Sequence, residues 1–126
     1  MRRLYTLLVL AGLTGLAGCV TPSIPIPPPD PAKMTFNTTA GPDGLITSAS
    51  LSYPATDAYK GGVAYVFNRT VGHGTIDVVN ADGSIGPTGA VPASAGDALV
   101  ISVENDEQTV STCVLLREGT PSSYCP

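Results

Sequence analysis

Three cysteines and one histidine are the residues of this 126-residue chain whose side chains most readily do chemistry. Thiolates act as nucleophiles, bind metals and form disulfides, and histidine serves as a general base or a metal ligand. An odd number of cysteines in an exported protein indicates one thiol with a separate role. The histidine, His73, stands between Gly72 and Gly74. We expect a mobile loop tip there, which supports a general base poorly.

The first cysteine, Cys19, ends a short apolar segment. Arg2 and Arg3 precede an uncharged run over residues 4–16, which is the plan of a secretory signal. A transmembrane helix is the alternative reading of this run, but such a helix needs about 20 apolar residues. The sequence Leu16-Ala17-Gly18-Cys19 resembles the lipobox of bacterial lipoproteins.

That resemblance implies that residues 1–18 form a signal peptide and that Cys19 is lipidated, with a diacylglyceryl group and usually a third acyl chain. Two or more acyl chains hold a protein stably on a membrane. Val20 stands where an Asp would imply retention in the inner membrane, so the resemblance implies the outer membrane of a Gram-negative-type envelope. The alternative is an ordinary signal peptide cleaved near Ala17, which would leave Cys19 as a free thiol.

Lipidation of Cys19 would leave Cys113 and Cys125 as a pair, and such a pair forms a disulfide in an oxidising compartment. Metal ligation is the competing use, but two cysteines and the distant His73 fall short of a four-ligand zinc set. The turn Asn80-Ala81-Asp82-Gly83 faintly resembles a calcium loop but lacks the required downstream Glu. The sequence therefore predicts no metal site, no cofactor and no catalytic residue.

Residues 20–33 are rich in proline, which fixes φ and removes the amide donor. A polyproline II segment rises about 3.1 Å per residue, so this one is expected to be a semi-rigid spacer reaching on the order of 45 Å. Three parts follow: a signal peptide (1–18), a lipidated cysteine with its linker (19–33) and a folded domain (34–126). The prolines are Pro22, Pro25, Pro27, Pro28, Pro29 and Pro31.

The charge of the mature chain narrows the range of partners. Removal of Arg2 and Arg3 leaves four basic residues against ten acidic ones, and moves the formal charge from −4 to −6. Nucleic acid requires clustered Lys and Arg, so it is excluded as a partner. The negative charge also disfavours adsorption to anionic lipid headgroups.

Residues 34–126 alternate apolar and polar side chains in short runs separated by turns, and no run has helical periodicity. About seven such strands predict a small antiparallel β-sandwich. One strand is expected to bury Leu45, Thr47, Ala49, Leu51 and Tyr53. A central strand, apolar on both faces, contains Val63, Ala64, Tyr65, Val66 and Phe67, and Tyr65 and Phe67 are expected in the core. The last two strands bury Leu99, Ile101 and Val103, then Val110, Thr112, Val114 and Leu116, with Asn105 and Asp106 as the turn between them.

Three segments carry a second resemblance. Residues 62–68 (GVAYVFN), 80–85 (NADGSI) and 91–99 (VPASAGDAL) look like a bacterial Ig-like domain. The similarity covers residues 62–113, and it implies a structural, spacing or adhesive module without shared catalytic residues. Residues 85–89 depart from the family, which usually continues a regular strand there. Pro87 requires an edge strand or a bulge at this point, because proline is confined to such positions in a sheet.

These observations predict a non-enzymatic, membrane-anchored envelope lipoprotein that contacts the membrane through the lipid on Cys19. Other envelope proteins are the expected partners of its β-domain. The alternative is a protein that binds a glycan or another small ligand through exposed aromatic side chains. An enzyme would need a cleft with at least two converging titratable groups, for which this chain offers little beyond His73.

Overall fold

Eight β-strands build the part of the chain that the computed structural model describes, residues 25–117 and 122–126. Single turns of 3-10 helix, Pro31–Lys33 and Asp57–Tyr59, precede the first and third strands. The strands are β1 (Thr35–Ala40), β2 (Ile46–Ser52), β3 (Val63–Asn68), β4 (His73–Val78), β5 (Val91–Pro92), β6 (Ala98–Asn105), β7 (Gln108–Leu115) and β8 (Ser123–Tyr124).

The strands pair into two antiparallel sheets, in the orders β1-β2-β5 and β4-β3-β6-β7-β8. The predicted small all-β sandwich is confirmed. Between β6 and β7 the chain reverses over Asp106 and Glu107, whose φ angles of 47° and 65° are both positive, as in a type I′ turn. The sequence placed this turn one residue too early, at Asn105 and Asp106.

The core lies between the two sheets and is mainly aliphatic. Leu99, Ile101 and Val103 on β6 are fully buried, as their alternation predicted. Burial of one such side chain stabilises a fold by about 1.5–3 kcal/mol. Tyr53 and Tyr59 also belong to this core, with their ring centroids 5.8 Å apart.

A β-bulge in β2 changes which residues face the core. Thr39 pairs with Ser48 but Ala40 pairs with Ile46, so Thr47 is an extra residue on β2. An extra residue shifts a strand's alternation by one position, and Ile46 becomes the buried residue. Of the residues predicted to be buried, Leu45 and Thr47 are exposed, whereas Ala49, Leu51 and Tyr53 are buried.

β3 lies between β4 and β6 and is therefore a central strand, as predicted. Its inner face consists of Ala64, Val66 and Asn68, each at most 1% exposed. The expectation that Tyr65 and Phe67 belong to the core is wrong, since Phe67 is 44% exposed and Tyr65 is half-buried. The second sheet covers only one of the two faces of β3. The side chains of Tyr65 and Phe67 lie on the other, uncovered face.

The proline-rich segment contacts the sandwich from Ile26 onward. The Ile26 amide donates to Gln108 Oε1 at 3.0 Å, and the hydroxyl of Thr112 donates to the carbonyl of Pro29 at 2.6 Å. Pro29 is fully buried. Residues 25–33 therefore lie along the domain, and do not extend away from it as the sequence predicted.

Candidate functional site

Cys19 and the rest of the lipobox lie outside the residues that the structure describes. The first described residues, Pro25 and Ile26, line a cleft of about 320 Å³ at the end of the sandwich where β6 turns into β7. Asp57, Lys60 and Asn105 line the same cleft. The described chain therefore begins at this end of the sandwich.

Two buried tyrosines hold the chain that follows. The hydroxyl of Tyr59 donates to the Pro27 carbonyl at 2.7 Å, and the Asp30 amide donates to the hydroxyl of Tyr53 at 3.0 Å. Burial, and secondarily the neighbouring Tyr53, raises the pKa of the Tyr59 hydroxyl well above its ordinary value of 10.0. Tyr59 therefore stays protonated, and able to donate, to a higher pH than an ordinary tyrosine.

The expected disulfide is present between Cys113 and Cys125, whose Cα atoms are 5.3 Å apart. The Cys125 amide also donates to the Cys113 carbonyl at 2.9 Å. The bond holds β8 against β7 at the edge of the five-stranded sheet. A cross-link closing a loop of this length contributes about 3 kcal/mol in the chain-entropy model.

A buried polar pair that sequence reasoning did not find joins the two sheets. Asn68 Nδ2 donates to Asp97 Oδ2 at 2.8 Å and to the carbonyl of Pro92 at 3.0 Å. Asp97 Oδ2 also accepts from the Ser94 amide at 2.9 Å. The sequence Asn68-Arg69-Thr70 matches the acceptor motif for N-glycosylation. Asn68 is fully buried, so its side-chain amide is not accessible for this modification. The sequence offered no signal for this pair, because Tyr65 and Phe67, expected in the core, would place Asn68 on the outer face of β3.

His73 is the first residue of β4 and pairs with Asn68 of β3, so it does not lie at a loop tip as predicted. The turn before it ends at Gly72, whose amide donates to the Asn68 carbonyl at 2.8 Å. His73 itself is exposed. The structure does not bring it together with Cys113 and Cys125: they lie on β7 and in the C-terminal tail, and both sulfurs are committed to the disulfide.

In the turn Asn80-Ala81-Asp82-Gly83, which faintly resembles a calcium loop, the carboxylate of Asp82 accepts hydrogen bonds from within the turn region. Asp82 Oδ1 accepts from the amide and the hydroxyl of Ser84, at 2.9 Å and 2.6 Å. These hydrogen bonds lower the pKa of Asp82. Within residues 25–117 and 122–126, no three His, Cys, Asp or Glu side chains cluster closely enough to hold a metal ion.

Two aromatic side chains, those of Tyr65 and Phe67, share the outer face of the five-stranded sheet. Phe67 packs over Gly74 of β4, and Tyr65 donates to Glu104 Oε2 at 3.0 Å. Ile76, opposite Tyr65, is 67% exposed. This apolar face, which the sequence assigned in part to the core, is a candidate binding surface.

Comparison with protein-family models, with curated proteins and with solved structures finds no match to this chain. The described residues contain no helix long and apolar enough to cross a membrane. The resemblances to lipoproteins and to Ig-like domains therefore stay predictions that rest on the sequence.

Proposed function

We propose that this chain is a membrane-anchored, non-enzymatic envelope lipoprotein whose small β-sandwich is a structural, spacing or protein-interaction module of the Ig-like kind. The observation that carries the proposal is Leu16-Ala17-Gly18-Cys19, placed after an apolar run and six residues before Pro25, where the described chain already lies beside the domain. Val20 after Cys19 supports the outer membrane as the destination.

Two features of the domain support this proposal. The Cys113–Cys125 disulfide is typical of a protein that resides in an oxidising compartment outside the cytosol. The buried polar side chains Asn68, Thr88 and Thr112 are used in hydrogen bonds that hold the fold. These groups stabilise the module and are not free to act on a substrate.

Membrane fractionation tests the proposal. Cys19→Ser should convert a protein that pellets with membranes into a soluble or unprocessed one. His73→Ala is the matched control, because it changes the chain's histidine and leaves the anchor intact. The same two variants are then scored for any envelope phenotype that deletion of the protein causes. A phenotype lost in Cys19→Ser alone supports a tethered module, whereas one lost in a folded and anchored His73→Ala would indicate a ligand-binding or catalytic site at β4.

A glycan or small-ligand binding protein is the second candidate, and the exposed ring of Phe67 beside Tyr65 favours it. Sugar rings stack on aromatic side chains that present an apolar face to solvent. Binding of soluble glycans that is lost in Phe67→Ala but retained in Leu45→Ala, an exposed apolar change in the β1–β2 turn, would establish it.

A further inference from the structure

The two outer faces of the sandwich differ in chemistry. On the three-stranded sheet, side chains of β1 and β2 that pair across the outer face are Thr35 with Ser52, Asn37 with Ser50 and Thr39 with Ser48. On the five-stranded sheet, Val63 pairs with Val78 and Tyr65 with Ile76 of β4, and Phe67 pairs with Val100 of β6. We call these last six residues the outer apolar face.

The outer apolar face is exposed at three of its six positions, half-buried at the other three, and nearly uncharged. Val78 is 76% exposed, Ile76 67% and Phe67 44%. Of the described residues paired in register with it, Glu104 is the one that carries a charge, and its carboxylate accepts the Tyr65 hydroxyl. Apolar surface of this kind, on a chain of net charge −4, is typical of a site that contacts a membrane or a protein.

The end of the sandwich where the described chain begins adjoins this face. Pro25 and Ile26 lie beside Asn105 and Gln108 at the β6–β7 turn. Glu104, one residue before Asn105, pairs with Val63, and Val63 pairs with Val78. Since neighbouring strands are about 4.8 Å apart, Val78 lies about 14 Å across the sheet from Gln108.

The chain between Cys19 and the docked segment is too short to hold the domain away from a membrane. Six peptide units from Cys19 to Pro25 reach at most about 20 Å, which spans the 14 Å across the sheet. A domain of this size has a radius of gyration of about 13 Å. A lipid on Cys19 would therefore keep one surface of the sandwich at the headgroups.

We propose that the outer apolar face docks on the lipid surface that carries the anchor. This inference rests on the lipidation of Cys19 proposed above. Tyr65 suits the interface because its ring is apolar and its hydroxyl is polar, and apolar side chains such as Phe67 and Ile76 can enter the acyl boundary. The acidic chain favours neutral, zwitterionic headgroups over anionic ones. The Ser- and Thr-rich face of β1 and β2 then points away from the membrane.

Tryptophan fluorescence can test this in the full, lipidated chain, because the wild type contains no Trp. Phe67→Trp and Ile76→Trp place probes on the outer apolar face, and Asn37→Trp is the matched control on the polar face. Each protein is reconstituted into phosphatidylcholine vesicles with brominated acyl chains, which quench a Trp in contact with lipid. Bromination should cause a loss of fluorescence at positions 67 and 76 and leave position 37 unchanged.

Three results would overturn the proposal, and they are distinguishable. Chains that float with vesicles and show the lipid mass, but are unquenched at positions 67 and 76, exclude docking and leave the anchor standing. If the unquenched chains also show blue-shifted emission in Phe67→Trp and can be cross-linked as a dimer, the outer apolar face is covered by a second copy of the chain. A chain without lipid that does not float excludes both the anchor and the docking. Far-UV circular dichroism and melting of each variant verify the fold.

Discussion

The hydroxyl of Tyr59 donates a hydrogen bond to the carbonyl of Pro27 at 2.7 Å, joining the 3-10 turn before β3 to a residue 32 positions earlier. Through this contact a segment that reads as a free linker becomes part of the folded domain. Ile26 and Asp30 on either side of Pro27 make further hydrogen bonds to Gln108 and Tyr53. Docking fixes residues 25–33 on the domain and places the first described residue, Pro25, at the β6–β7 end of the sandwich.

Removal of this hydroxyl tests the docking directly. Tyr59→Phe keeps the ring in the core but loses the donor, and should lower the free energy of unfolding by about 1 kcal/mol. The amides of Ile26 and Asp30 should exchange with solvent faster, measured by hydrogen–deuterium exchange. Tyr65→Phe, which removes a hydroxyl from the outer face, is the control. Unchanged exchange at Ile26 in Tyr59→Phe would show that this bond does not hold the segment.

The same hydroxyl predicts how stability depends on alkaline pH. Because burial raises the pKa of Tyr59 in the folded state above its ordinary value of 10.0, the unfolded chain ionises first. The contribution is therefore fully present below pH 10 and is lost as the pH rises beyond that value. Chemical denaturation between about pH 9 and 11 should show a steeper fall in the wild type than in Tyr59→Phe. Equal slopes would contradict the raised pKa.

Two isoleucines of the five-stranded sheet, Ile101 and Ile76, differ in how far their side chains are buried. Ile101 is fully buried on β6, and Ile101→Ala should cost about 2–5 kcal/mol because it leaves a cavity in the core. Ile76, on the outer face of β4, is 67% exposed, and Ile76→Ala should cost less than about 1 kcal/mol. Urea unfolding of the two variants measures both. Comparable losses would mean that the outer face is covered in the folded protein.

Two glycines with similar backbone angles differ in their surroundings. Gly83 and Gly44 have φ angles of +85° and +79°, a region that costs other residues about 1–2 kcal/mol. A Cβ at Gly83 would also collide with the carbonyl of Thr56, whereas one at Gly44 meets nothing within 4 Å. Thermal unfolding should therefore show a clearly larger loss for Gly83→Ala than for Gly44→Ala. Equal losses would place the cost in the backbone angle alone.

Alternation of apolar residues was enough to predict the fold class, the central position of β3 and the buried residues of β6. It did not identify the inward face of a strand whose two faces are both apolar. β3 is apolar on both sides, and the choice between Phe67 and Val66 as the inward residue depends on where the second sheet lies. That position is set by contacts between distant residues.

The other misplacements depend on strand pairing and distant contacts that no sequence pattern revealed. Thr47 is an extra residue in β2, and a bulge is a property of the pairing with β1 rather than of either strand's own sequence. The prolines of residues 25–31 do exclude regular pairing, but they leave the carbonyls of Pro27 and Pro29 free to accept from Tyr59 and Thr112. Those donors lie more than 30 residues away in the chain.

The intact mass of the mature protein, purified from membranes, tests the central claim most directly. We expect a chain that begins at Cys19 and is heavier than its peptide by a diacylglyceryl group, with or without a third acyl chain. Treatment with an alkylating reagent should add no further mass, because lipidation of Cys19 and the Cys113–Cys125 disulfide leave no free thiol. A chain of unmodified peptide mass, whether it begins at Cys19 or retains residues 1–18, would contradict the anchor and the function built on it.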